Sequence, residues 1–129
     1  MNTLSFIRQI DYTVIYARDR AAMRRFYGAV LGFPLLRELS PHWIDYAVGA
    51  KTLALSVHGK RFDGPAPLAG ALSLQLAFRV APKVVDACAE ELAAAGVRIV
   101  SAPADQPFGH RTLFFRHPDG NVLEIYAEI

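Results

Sequence analysis

One order of elements occurs twice along this chain, and that repeat restricts its possible folds more than any single motif does. The first pass opens on a strand-like stretch, "IRQIDYTVIYA", followed by Asp19, whose short carboxylate can accept from the free amides of a helix start. Met23, Phe26, Tyr27, Val30 and Leu31 then recur at the spacing of one helix face, and Gly32 suits the left-handed residue that ends it. Three strand-like stretches follow, "FPLLREL", "WIDYAVG" and "KTLALSVH". The Gly- and Pro-rich "GKRFDGPAPLAGA" reads as a connector, and after it the order restarts. In "LSLQLAFRV", Leu72, Leu74, Leu76, Phe78 and Val80 point one way, and Ser73, Gln75, Ala77 and Arg79 the other. Pro82 fits a first helical turn, Val84, Val85, Cys88, Leu92 and Ala95 form an apolar helix face, and Gly96 closes it. "VRIVS", "HRTLFFRH" and "NVLEIYAEI" complete the chain, with "PDG" at 118–120 as turn chemistry between the last two.

The helix starts, Asp19 and Pro82, lie 63 positions apart. The expectation is therefore one domain over 1–129, made of βαβββ modules at about 6–58 and 72–128 with a connector at 59–71. Its class is α+β. An antiparallel sheet with a helix on one face leaves the other uncovered. Two such sheets, expected as a curved, mostly antiparallel mixed sheet with the helices outside, can enclose a cavity.

Several function classes are excluded early. A net charge of +2 without a Lys/Arg run does not suggest nucleic acid, and Arg20, Arg24 and Arg25 read as the solvated face of one helix. One cysteine, Cys88, allows neither an internal disulfide nor a thiolate zinc site; on an apolar helix face it reads as a small core residue. "MNTLSFIRQI" lacks the pattern of a signal peptide, and no apolar run approaches the roughly 20 residues that span a bilayer. A cytoplasmic protein that binds neither membrane nor nucleic acid is expected.

"RDRAAMRRFYGAVLGFPLL", with its "FY…LGF" signature, resembles the first helix and following strand of the vicinal-oxygen-chelate superfamily. "ACAEELAAAGVRIV" and "PFGHRTLFFRHPDGNVLEIY" are similar to the second helix with its strand and to the final hairpin of that superfamily. It includes glyoxalase I, extradiol dioxygenases, fosfomycin-resistance enzymes and bleomycin-resistance proteins. The resemblance covers nearly the whole chain, and it is specific for fold rather than function. It implies four converging metal-ligand positions, which fall here on Tyr12, Ala54, Gln75 and Glu124. Ala54 has no ligating atom and a neutral phenol is a poor ligand, so no cofactor is expected and a tightly bound divalent metal is disfavoured. If a metal binds, Gln75 and Glu124 would hold it, with His58 as a further candidate; His58 also reads as a strand-end histidine facing water.

Glu124 interrupts the apolar strand "NVLEIY". Alternation groups it with Val122 and Tyr126 on the cavity side, where Tyr12, Val14, Tyr16, Ala54, Ser56, Gln75, Ala77 and Arg79 are also expected, with His58 at the mouth. That lining is aromatic and small-apolar with a few polar groups, the make-up of a small-molecule pocket. Glu124 then either pairs with Arg79, Tyr12 or Gln75, or contacts a ligand's amine or hydroxyl, or acts as a general base. Trp43 reads as a cavity-wall or core aromatic, His110 as a rim residue and His117 as packing under the turn. The leading expectation is a metal-free protein binding a small organic molecule. The alternatives are a lyase, isomerase or dioxygenase of the same superfamily, and a non-catalytic dimeric module whose pocket is filled by its own side chains. The resemblance also implies a homodimer, in some members with each cavity shared between chains.

Overall fold

The computed structural model describes residues 3–57, 68 and 71–129. After a 3-10 turn at Thr3–Phe6, the first module runs through β1 (Tyr12–Ala17), α1 (Arg20–Arg25) with a π-helical continuation at Phe26–Val30, β2 (Leu35–Ser40), β3 (Trp43–Val48) and β4 (Lys51–Val57). The second runs through β5 (Leu76–Arg79), a 3-10 turn at Pro82–Val84, α2 (Val85–Ala94), β6 (Ile99–Asp105), β7 (His110–Arg116) and β8 (Val122–Glu128). The βαβββ order is thus present twice. It forms two four-stranded mixed sheets, ordered β1-β4-β3-β2 and β5-β8-β7-β6, and no closed barrel. In each, the first and last strands of the module pair in parallel and the other pairs are antiparallel.

The helix signals act as their chemistry requires. Asp19 accepts from the Ala22 amide at 3.0 Å, closing the start of α1. Gly96 adopts φ +78° just past α2, where the Val97 amide returns to the Leu92 carbonyl. The π turn, with Leu31 N–H donating to Phe26 O, accompanies the inward placement of both Phe26 and Tyr27, each buried. Val84 and Ala95, expected on the buried face of the second helix, are exposed, because the chain there is a 3-10 turn before α2 and a cap after it.

Strand lengths differ from expectation at two places. β5 is shorter than "LSLQLAFRV", because the amides of Ser73 and Leu74 donate to Asn121 Oδ1 (2.8 and 3.2 Å) instead of a strand ladder. β6 is longer than "VRIVS" and continues to Asp105, where register irregularities admit Pro103 at the sheet edge.

One core joins the modules. Ile15, Leu53 and Leu55 on the helix side of the first sheet belong to the same buried cluster as Leu113, Phe115, Leu123 and Ile125 of the second. Phe26 lies 6.3 Å from Phe115, and Phe33 lies 5.5 Å from Phe78, ring centre to ring centre. Each large apolar side chain so buried contributes about 1.5–3 kcal/mol, and the two modules share that contribution. Asp119 adds a polar tie: its carboxylate accepts from the amides of Arg18 (2.6 Å) and Asp19 (3.1 Å). Among the described residues no helix is long and apolar enough to cross a membrane.

Candidate ligand-binding site

Strand register decides which residues share a face. In the second sheet, Glu124 is paired with Ala77 on β5 and Phe114 on β7, and Tyr126 with Arg79 and Thr112. Leu123, Ile125 and Ala127 alternate with them and are buried in the core. Ala77, Arg79, Glu124 and Tyr126 therefore stand together on the face away from the core. Around them, His110 stacks on Tyr126 at 4.7 Å and Phe108 meets His110 edge-on at 5.3 Å, which puts His110 beside the site residues. Gln75 precedes β5 and is exposed, since the chain before it is held by Asn121.

Glu124 is half-buried, and no hydrogen bond or ion pair from a described residue reaches it. The expected pairing with Arg79 does not form: Arg79 Nη2 donates to Glu128 Oε2 at 3.0 Å instead. Glu128 lies further along the same face, near the end of β8, where both long side chains remain in water. Tyr12 and Gln75 do not bond Glu124 either. A carboxylate withdrawn in part from water, flanked by aromatic rings and without a protein donor, is an open acceptor.

The first sheet presents the matching set. Val14 pairs with Ala54, Tyr16 with Ser56 and Tyr12 with Thr52, so Tyr12, Val14, Tyr16, Ala54 and Ser56 share one face. Ala54 is fully buried and Ser56 nearly so, whereas Tyr12 is 53% exposed. Asp45, which the sequence reading did not single out, is paired with Ala54 on the same face and is 1% exposed. Its Oδ2 accepts from Arg37 Nε at 3.0 Å and Trp43 Nε1 at 2.9 Å, while Oδ1 is buried without a partner. Trp43 in turn meets Tyr12 edge-on at 6.3 Å, so it is a wall of this face. The missed signal is the one that marked Glu124: an acid in the middle of an apolar strand, here "WIDYAV".

Within one chain, residues from the core-facing sides of both sheets share one buried cluster. Val14 and Tyr16 border a cleft of about 430 Å³ running toward Ser73 and Asn121. Ala77 and Arg79 border another, of about 520 Å³, shared with Thr13 and Lys51. His58 lies outside the described residues.

The four positions implied for a metal do not fit one. Ala54 offers a buried methyl group, Gln75 stands off its strand, and no group of three His, Cys, Asp or Glu among the described residues converges to hold an ion. Cys88 is half-buried against the core, and burial, with Glu91 adding to it, pushes its thiol pKa up, the opposite of an activated nucleophile. His117 does pack under the turn: it is buried, and its Nδ1 accepts from the Asp119 amide at 3.1 Å.

Residues 9–125 match the model of the Glyoxalase/Bleomycin resistance protein/Dioxygenase superfamily. The chain is 29% identical to virulence protein STM3117 of Salmonella typhimurium over 122 residues, 92% of this chain and 83% of the relative. A glyoxalase/bleomycin resistance protein/dioxygenase from Nocardioides is similar in structure, with a TM-score of 0.81 at 25% identity over 95% of this chain and 84% of that one. Lactoylglutathione lyase from Agrobacterium tumefaciens is similar with a TM-score of 0.73 at 26% identity, covering 92% of each chain.

Proposed function

The chain belongs to the Glyoxalase/Bleomycin resistance protein/Dioxygenase superfamily, and from that premise we propose that it binds a small organic molecule without a tightly held metal. Glu124 accepts from an amine, amide or hydroxyl of that molecule. The observation that carries this reading is the half-buried Glu124 carboxylate, without a donor among the described residues and beside aromatic Tyr126 and Phe114 in the strand register. The vacant Oδ1 of Asp45 is a second acceptor of the same kind on the first sheet. A ligand with an aromatic or apolar body and one or two donors fits both faces.

A two-fold homodimer is part of the proposal, since it would let the Ala54 face of one protomer oppose the Glu124 face of its partner. Leu35, Leu36 and Leu39 on edge strand β2 are each more than half exposed, which supports a covered edge in solution. A monomer at every concentration in light scattering would overturn this part.

The test of binding is a thermal-shift screen of amine- and hydroxyl-bearing aromatics against the native chain, Glu124→Gln and Glu124→Ala. Compounds that raise the melting temperature of the native chain should lose most of that shift in both variants. Equal shifts in all three would overturn the assignment of Glu124. After incubation with Zn, Ni, Mn and Fe(II) and desalting, mass spectrometry should find only background metal; near-stoichiometric retention of one ion would overturn the metal-free reading. A second reading, catalysis with Glu124 as general base, is favoured by the 26% identity to a protein named lactoylglutathione lyase. It requires a bound compound to be converted by the native chain and not by Glu124→Gln.

A further inference from the structure

A cleft of about 420 Å³ opens between the end of α1 and the segments that follow α2 and β7, and none of Ala77, Arg79, Glu124 and Tyr126 lines it. Arg25, Arg98 and Arg116 line it with His117, and no Asp or Glu does. None of the three arginines forms an ion pair with a described carboxylate, whereas Arg20, Arg24, Arg37, Arg79 and Arg111 all do. The nearest acid in sequence, Asp119, is occupied by the amides of Arg18 and Asp19.

The backbone brings these donors together. The left-handed turn at Gly96 leads α2 directly into Arg98, and the Arg116 amide donates to the Arg98 carbonyl at 3.0 Å, so the α2–β6 connection brings Arg98 beside the end of β7. Arg25 approaches from α1. Arg116 gives Nη1 to the Gly120 carbonyl, which fixes its guanidinium, yet its Nε is buried without an acceptor. His117 is 2% exposed; its Nδ1 accepts from the Asp119 amide, so a neutral ring carries its proton on Nε2, and that nitrogen also lacks a partner. Buried N–H groups without acceptors and converging like charges are both unfavourable, and a single anion relieves both. Phe26, Val30 and Val97 supply the apolar remainder of the wall.

We propose that this cleft is a binding site for a phosphomonoester, a tetrahedral oxyanion on a small apolar body, separate from the site at Glu124. Donors arriving from α1, from the α2–β6 connection and from β7 suit a tetrahedral group better than a planar carboxylate, which one guanidinium can satisfy in bidentate fashion. Because the walls come from both modules, occupancy should also raise the melting temperature.

The probe is phenyl phosphate, titrated at constant ionic strength into the full chain labelled with ¹⁵N. Saturable shifts are expected at the amides of residues 96–98 and 116–120. Arg25→Gln and Arg98→Gln, both exposed side chains whose loss should leave the fold intact, are each expected to weaken binding about tenfold or more, the scale of a charge-assisted contact. Inorganic phosphate should move the same amides with lower affinity; equal affinity would keep the oxyanion site but overturn the apolar part. No saturation, shifts confined to residues 122–126, or unchanged affinity in both variants would overturn the proposal.

Discussion

Glu124→Leu is expected to make the protein more stable. Glu124 is half-buried and receives no hydrogen bond or ion pair from a described residue, so removing its charge breaks no contact. Leucine there would cover part of the surface of its register neighbours Ala77 and Phe114. Full burial of a leucine is worth about 1.5–3 kcal/mol. At a half-buried position, and after crediting the methylenes glutamate already buries, a gain of about 0.5–1 kcal/mol remains. Glu124→Gln, which keeps the shape, should lie within about 0.5 kcal/mol of the native chain. Had the carboxylate been one half of a buried structural pair, either change would cost about 3–5 kcal/mol. The two accounts differ in sign. Urea unfolding at fixed protomer concentration reads the difference: with a slope of about 1.5 kcal/mol per molar, Glu124→Leu should raise the midpoint by about 0.3–0.7 M. A fall of about 1 M or more in both variants would refute the reasoning, because Glu124 would then hold the fold rather than wait for a ligand.

Asp119→Ala removes the acceptor shared by the amides of Arg18 and Asp19, and should cost about 2 kcal/mol, seen as a lower melting temperature, with Asp119→Asn recovering part of it. Burial holds the His117 imidazole below its ordinary value of 6.5, against the opposing pull of Asp119. Its contribution is therefore complete above pH about 6.5 and is lost as the pH falls below that value and through the depressed folded one. Unfolding free energies between pH 7.5 and 5 should fall, and His117→Gln should flatten the slope by up to about 1.4 kcal/mol per pH unit; an unchanged slope would show that His117 does not titrate there. Gly96→Ala meets no atom within 4 Å but must hold φ +78°, so it should lower stability by about 1 kcal/mol through backbone strain alone, measured by urea midpoint.

The local signals in the sequence were those whose physics is local. Asp19 and Gly96 act on amides and carbonyls a few residues away, and alternation in "LSLQLAFRV" separates inward Leu76 and Phe78 from outward Ala77 and Arg79 whatever the topology. What periodicity does not carry is the identity of a partner distant in sequence. Asn121 takes the amides of Ser73 and Leu74 across almost fifty residues, which ends β5 early and leaves Gln75 outside it. Arg79 was a reasonable partner for Glu124 by face, but Glu128 lies on the same face, and a long flexible guanidinium takes the acid at the exposed strand end, where neither group loses its water.

Asp45 shows the same limit from the other side. Its strand alternates as clearly as that of Glu124, but only the pairing of β3 with β4 places it beside Ala54, where the superfamily resemblance puts a metal ligand. Ala54, which has no donor atom, therefore has a carboxylate one strand away, already committed through Oδ2 to Arg37 and Trp43. A carboxylate neutralised by one guanidinium is a weak partner for a divalent ion, yet its remaining oxygen can still accept from a neutral donor. Among the described residues no cation pairs with Glu124. The two faces thus share one feature, a carboxylate oxygen that no described residue occupies, and only Asp45 has a guanidinium on its other oxygen.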